Sequence, residues 1–167
     1  MTNHRYSVIK TAQMLLKFLE RCGRKRVIFD RDGQSIYIER FYLFFKDKVI
    51  EEEPARDLPF NLMLHHICQS DPDDLHDHPW WYFTLILKGG YWEVTPEGRF
   101  WRGPGHFRFR PPGDLHRLEV PEDSKGCWSL FCRGGKVRPW GFIRQGEWID
   151  HKQYLYQRKQ AFLGQNL

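Results

Sequence analysis

Gly105-His106-Phe107-Arg108-Phe109-Arg110-Pro111-Pro112-Gly113-Asp114-Leu115-His116 is the stretch on which the reading of this chain turns. A short aromatic run leads into Pro111-Pro112-Gly113, a turn by composition, and His116 follows where the next extended run begins. Upstream lies Leu75-His76-Asp77-His78-Pro79. In an extended chain residues i and i+2 share a face, so His76 and His78 can aim two imidazoles at one point. His116 can supply a third. Eight histidines placed at random in 167 residues give about 0.4 His-x-His pairs, so that pair alone says little. A chance Pro-x-Gly-x2-His is expected only about 0.04 times, and the two patterns in this order make a metal site the working expectation.

Outward from these stretches the chain reads as short β-branched and aromatic runs separated by Gly, Pro and Asp. The runs are Val27–Phe29, Ser35–Phe45, Phe60–Cys68, Trp80–Leu87, Tyr91–Thr95, Arg99–Arg102, His106–Arg110, His116–Val120, Cys127–Phe131 and Lys136–Phe142. Their regular spacing predicts an all-β sandwich or barrel. Ser7–Arg21 carries Ile9, Met14, Leu15, Phe18 and Leu19 near the helical period, with Gly23 placed as a C-cap. Asp150–Phe162 reads as a short helix capped by Asp150. The length suits one domain of roughly 100–200 residues: a helical arm over 1–26, a barrel over 27–149, and a helix and tail over 150–167.

Composition narrows the function classes. With 41% hydrophobic and 28% charged residues the chain has the apolar surface for a core. A formal charge of +5 is a mild excess without the dense basic stripe of a nucleic-acid binder. The run Arg21, Arg24, Lys25 and Arg26 suits a helix C-terminus, which attracts cations, so nucleic acid is not the expected partner. No apolar run approaches the roughly 20 residues needed to cross a bilayer. Cys22, Cys68, Cys127 and Cys132 form no Cys-x2-Cys pair, and nothing at the N-terminus reads as an export signal. The expected setting is cytoplasmic, with free thiols. Cys127 and Cys132 have an odd separation and so opposite faces, which argues against zinc held by that pair.

The two histidine stretches together resemble the signature motifs of the cupin superfamily. The first motif, Gly-x5-His-x-His-x3/4-Glu-x6-Gly, is met by His76, His78 and Gly89 or Gly90, with Ser70 where the leading glycine belongs. The second, Gly-x5-Pro-x-Gly-x2-His-x3-Asn, is met by Gly105, Pro111, Gly113 and His116, with Val120 in place of Asn. The resemblance spans Leu75 to Val120 and implies an all-β double-stranded β-helix, or jelly roll, with a metal in the barrel mouth. It also implies a homodimer, since cupins commonly pair through their sheets. At the place of the family's glutamate stand Tyr82 or Phe83, of which Phe83 aligns better. The implied centre is therefore a three-histidine variant on His76, His78 and His116.

Three neutral imidazoles leave a divalent ion its full charge and open positions, which favours an anionic or chelating small-molecule substrate and, with iron, dioxygen. Cupin-related thiol dioxygenases and diketone-cleaving enzymes use such a centre with Fe(II), so an Fe(II) dioxygenase is the first expectation. The Ser-His-Tyr relay of thiol dioxygenases has no match, because His151 is followed by Lys152 and Gln153. With Mn, Ni or Zn the same site reads as that of an isomerase or lyase. A barrel without metal reads as a non-catalytic ligand-binding module.

Further residues are candidates for the pocket. Trp80, Trp81, Tyr82 and Phe83 follow the histidine pair, and Trp80, Tyr82 and Phe83 are expected to form an aromatic wall. Arg40, Tyr42 and Arg56 are candidates to anchor an anion, Arg40 foremost. Along His106–Arg110, alternation puts Phe107 and Phe109 on one face and Arg108 and Arg110 on the other; with the phenylalanines in the core, both arginines face solvent. His65 and His66 are adjacent, so only one can look into a barrel. Asp77 should point away from the metal, and Asp74 is a candidate to hold a ring N–H of a ligand histidine.

Overall fold

The computed structural model describes residues 2–30, 33–46, 49–50, 53–54, 58–72 and 74–164. Arg56, a candidate anion anchor, lies outside them. The elements are α1 (Thr2–Arg21), β1 (Lys25–Phe29), β2 (Ile36–Tyr42), β3 (Val49–Ile50), β4 (Glu53–Pro54), β5 (Phe60–Ile67), β6 (Tyr82–Lys88), β7 (Tyr91–Thr95), β8 (Gly98–Arg102), β9 (Phe107–Arg110), β10 (Arg117–Glu119), β11 (Cys127–Gly134), β12 (Gly141–Arg144), β13 (Glu147–Asp150) and α2 (His151–Gly164). Every strand pairing among the described residues is antiparallel. Among the described residues no helix is long and apolar enough to cross a membrane.

A six-stranded sheet in the order β1-β2-β5-β11-β6-β9 faces a three-stranded sheet in the order β10-β7-β8, the all-β architecture expected from the spacing and the jelly roll implied by the resemblance. The hydrophobic alternation of the central strands explains the arrangement. Met63 and Ile67 on β5, and Tyr82 and Ile86 on β6, are buried at every second position. Ile67, Ile86, Tyr91, Val120 and Cys127 pack together, with Ile38 and Leu118 against them, as an apolar floor between the sheets.

Both helices are stopped or started by the predicted residues. Gly23 has φ 64°, its N–H donates to the Glu20 carbonyl, and the Arg24 N–H donates to the Leu19 carbonyl. This is a Schellman ending, which needs a left-handed residue after the last turn. At the other end the Lys152 N–H donates to Asp150 Oδ1 at 2.9 Å, so Asp150 caps α2. Tyr154 of α2 is fully buried and stacks on Phe142 of β12, with ring centroids 3.8 Å apart. Burying a side chain of that size stabilises by about 1.5–3 kcal/mol, and it docks α2 beside the barrel mouth.

Two expectations are corrected here. Lys136–Phe142 is mostly irregular: β11 runs on to Gly134, and β12 begins only at Gly141. Pro139 lacks the N–H a ladder requires. The hairpin β12-β13 was not anticipated as a pair; Gln145 and Gly146 have φ 54° and 84°, the primed turn that joins two twisted strands. The second correction concerns β9. Phe107 and Phe109 are 60% and 57% exposed while Arg110 is 3% exposed, so the predicted faces of this strand are inverted.

Candidate metal centre

The two histidine stretches are joined through their backbones. The His76 N–H donates to the His116 carbonyl and the His116 N–H to the His76 carbonyl, each at 2.9 Å. The Gly113 N–H donates to the His78 carbonyl at 3.2 Å. Gly113 has φ 90°, a left-handed conformation that L side chains rarely adopt. The Pro111-Pro112-Gly113 turn thus delivers β10 with His116 opposite His76, and sequence-distant histidines meet because a backbone ladder sets their register.

The three rings converge as expected. Centroid separations are 5.0 Å for His76 and His78, 4.8 Å for His76 and His116, and 5.2 Å for His78 and His116. One ring nitrogen from each lies within 4.8 Å of the others, and the two Nε2 atoms of His78 and His116 are 3.0 Å apart. Nitrogens about 2.1 Å from a shared ion stand about 3.0 Å apart at a right angle and about 3.4 Å at the tetrahedral angle, so this pair fits a common ion. Burial pushes the His76 imidazole down to about 4, with Asp71 opposing and His116 adding to the shift. Burial, then the neighbouring His76 and His116, holds His78 well below its ordinary value. Both rings are neutral at pH 7, the state that ligates metal. His76 Nδ1 is buried without a hydrogen-bond partner, a second sign that the donor set suits a cation.

A buried charge network stands behind the imidazoles. Glu93 on β7 places Oε1 3.4 Å from His116 Nδ1. Arg110 Nε and Nη2 both donate to Glu93 Oε1, at 2.9 and 2.6 Å, and Arg102 Nε donates to Oε2 at 2.7 Å. Burial alone would raise the Glu93 carboxyl, but the His116 hydrogen bond and the two arginines hold it far below its ordinary range. Glu93 therefore stays ionised and can orient His116 so that Nε2 faces the other rings. Asp71 Oδ2 accepts from the Leu118 N–H at 2.6 Å and lies 3.9 Å from His76 Nδ1, beyond hydrogen-bond distance. The Tyr82 hydroxyl lies 3.2 Å from His116 Nε2. Burial raises this phenol well above its ordinary value, so it remains protonated.

The cavity in front encloses about 110 Å³ between the two sheets. Arg40, His65, Trp80, Tyr82, Arg110 and Arg133 are among its lining residues. Trp80 and Tyr82 face this space, as does Arg40, whose Nε donates to His65 Nε2 at 3.1 Å. Arg133 lies over the Trp80 ring at 4.6 Å. Tyr42 is buried without lining the cavity.

Several expectations are revised. Phe83 does not reach the cavity: β6 alternates, Tyr82 and Thr84 turn inward, and Phe83 packs against Phe107 on the outer face at 5.7 Å. Asp74 accepts from the Tyr154 hydroxyl at 2.6 Å instead of holding a ligand histidine. Arg108 and Arg110 line the cavity instead of facing solvent. His65 faces inward and His66 outward, as adjacency requires. Asp77 points away, accepting from Arg138 Nη1, the Gly141 N–H and Trp148 Nε1. Glu93, Asp71 and Arg133 were missed. Glu93 had a readable signal, a carboxylate on the same face as Tyr91 and Thr95 within an otherwise apolar run.

No family model matches the chain, and no curated protein does. Solved structures do match in shape. A cupin-2 domain protein from Rhodospirillum rubrum is 14% identical, covers 84% of this chain and 86% of its own, and superposes with a TM-score of 0.51. The chain has the cupin fold. Two further neighbours of this cupin barrel are the polyketide cyclase RemF from Streptomyces resistomycificus (20% identity, 72% of this chain and 79% of that one, TM-score 0.49) and a cupin-like protein from Ralstonia eutropha (15%, 85% and 82%, TM-score 0.48). At these identities the likeness concerns the fold alone.

Proposed function

We propose that this cupin barrel is a metal-dependent enzyme of the dioxygenase kind, which binds Fe(II) through His76, His78 and His116 and acts on a small organic anion. The observation that carries the reading is the convergence of three imidazoles, two of them held neutral by burial, at the wall of the cavity between the sheets. Bound iron would supply the one-electron chemistry with dioxygen that protein side chains lack. The chain's own residues hold, orient and select. Glu93 accepts from His116 Nδ1, and Arg102 and Arg110 keep that carboxylate charged. The Tyr82 phenol offers a proton-bearing oxygen beside the donor set.

The cavity wall supports the substrate class. Arg40, Arg102, Arg108, Arg110 and Arg133 line it against the carboxylates of Asp71 and Glu93. A positive, poorly solvated wall attracts an anion more strongly than the same charges in water do. Trp80 and Phe131 present aromatic faces to the rest of the ligand.

The test is an anaerobic preparation loaded with one equivalent of Fe(II), followed by oxygen uptake with a panel of small thiols, diketones and phenolic acids. Uptake should fall roughly a hundredfold or more in His116→Ala, a loss at least as large as those seen on removing outer-shell partners of a metal. Uptake that survives this substitution sinks the proposed centre. Turnover of the panel without oxygen uptake, supported by Mn, Ni or Zn, moves the reading to a lyase or isomerase. A chain that never takes up a stoichiometric ion is a ligand-binding module instead.

A further inference from the structure

The outer side of β2 and β5, turned away from the cavity, gathers donors that the proposed centre does not use. Glu39 stands directly opposite His66 in the register of the two strands, and Cys68 follows His66 by two residues on the same side. Glu39 Oε2 is 2.9 Å from His66 Nδ1, and Cys68 Sγ is 3.5 Å from the same nitrogen. One ligand atom from each of the three lies within 4.8 Å of the others.

The hydrogen bonding of the ring shows what this cluster lacks. His66 Nε2 is 3.0 Å from the Lys125 carbonyl oxygen, which can only accept, so Nε2 carries the hydrogen. In a neutral ring Nδ1 is then a lone pair aimed at a carboxylate. Two lone pairs at that distance repel unless a positive centre lies between them, either a second ring proton or a metal ion. The sulfur distinguishes the two. A tetrahedral zinc with Zn–S of about 2.3 Å and Zn–N of about 2.05 Å sets sulfur and nitrogen about 3.6 Å apart, close to the separation observed here, while the nitrogen and the Glu39 oxygen, now 2.9 Å apart, open to about 3.4 Å around the same ion. A ring proton directed at Glu39 leaves Cys68 with only its weak thiol bond to the His66 carbonyl, at 3.6 Å.

The surroundings hold the donors in place without closing them off. Lys25 Nζ pairs with Glu39 Oε1 at 2.9 Å, which leaves Oε2 directed at the ring. Trp128 stacks flat on His66, with centroids 4.4 Å apart and planes 7° apart, and fixes the ring's orientation. The side chains of Glu39 and His66 are each 19% exposed, so an ion and a water ligand can reach them.

We propose that Glu39, His66 and Cys68 form a second cation site, for zinc or a similar thiophilic divalent ion, on the outer face of the sheet. Binding replaces the Cys68 thiol hydrogen by the ion, releases that proton to solvent, and leaves thiolate and carboxylate to balance the double charge. Water takes the fourth position. The site is independent of the barrel centre and stands whether or not that centre binds iron.

Cobalt(II) added to the full chain tests it, because a sulfur ligand produces a near-ultraviolet charge-transfer band that three imidazoles cannot. The band should appear in the unaltered chain, in Cys22→Ser and in His116→Ala, and should vanish in Cys68→Ser. Zinc should also slow alkylation of Cys68 in the unaltered chain by roughly tenfold or more, read on the Cys68 peptide by mass spectrometry, because a metal-bound thiolate is shielded. The alkylation arm needs no variant, so a misfolded Cys68→Ser chain leaves the test intact. A band that persists in folded Cys68→Ser, or equal alkylation with and without zinc, overturns the site and assigns the cluster to an imidazolium paired with Glu39.

Discussion

β6 and β9 are neighbours in one sheet, yet they divide their side chains between inside and outside by opposite rules. On β6 the inward positions hold Tyr82, Thr84 and Ile86, all buried, in the ordinary manner of a strand over a core. On β9 the inward positions hold Arg108 and Arg110, and the phenylalanines face out. The difference lies in what stands opposite. Ile86 meets the apolar floor of Ile67, Tyr91 and Cys127, whereas Arg110 meets Glu93, whose oxygens accept from two arginines. Glu93 supplies Arg110 with the opposite charge that offsets its burial, which unpaired would cost several kcal/mol.

Removing that partner should have the largest effect. Arg110→Ala is expected to cost about 2–4 kcal/mol in urea unfolding of the metal-free chain, because it takes two of the three arginine hydrogen bonds from buried Glu93 and leaves Arg102 alone to balance it. A loss below about 1 kcal/mol would return Arg110 to a solvated face.

Acid sharpens the same contrast. His76 titrates at about 4 in the fold because of burial, below the roughly 6.5 of an unfolded histidine, so the unfolded chain binds more protons between those values. Stability of the metal-free chain should be full above about pH 6.5 and fall by about 1.4 kcal/mol per pH unit for this group alone as pH drops toward 4. Glu93, also depressed, acts in the same direction lower down: its contribution is present above the ordinary carboxylate range and is lost as pH falls below it. A stability that stays flat between pH 7 and 5 would place the imidazoles in water.

Smaller effects probe the two faces. Glu93→Gln is expected to weaken metal binding about 10–100-fold in competition with a chelating dye, since His116 loses the carboxylate that orients it. Phe109→Ser, on the outer face of the same strand, should cost about 0.5–1.5 kcal/mol, the worth of its stacking on Trp81 with centroids 6.1 Å apart. A large loss there would mean that the phenylalanine face is covered.

Much of the site was legible because its motifs are local. His76-x-His78 reads from alternation, and Pro111-x-Gly113-x2-His116 reads from turn chemistry, since each rests on residues a few positions apart. Asp150 and Gly23 were legible for the same reason, being caps that act on their own helix ends. Phe83 was misplaced because aligning a motif by counting residues allows a slip of one, and in a strand one residue reverses the face. Arg110 was misread because alternation says which residues share a side and not which side lies within.

The amino-acid sequence by itself determined the β architecture, the helix ends and the identity of three histidines able to share an ion, all through short-range stereochemistry. Tertiary structure alone decided that His76 and His116 face one another across a backbone ladder, that Glu93 stands behind them, and that β9 turns its arginines inward. Those outcomes depend on which strand is paired with which and on the charge waiting across the barrel. Both are long-range contacts, and no local pattern of residues encodes them.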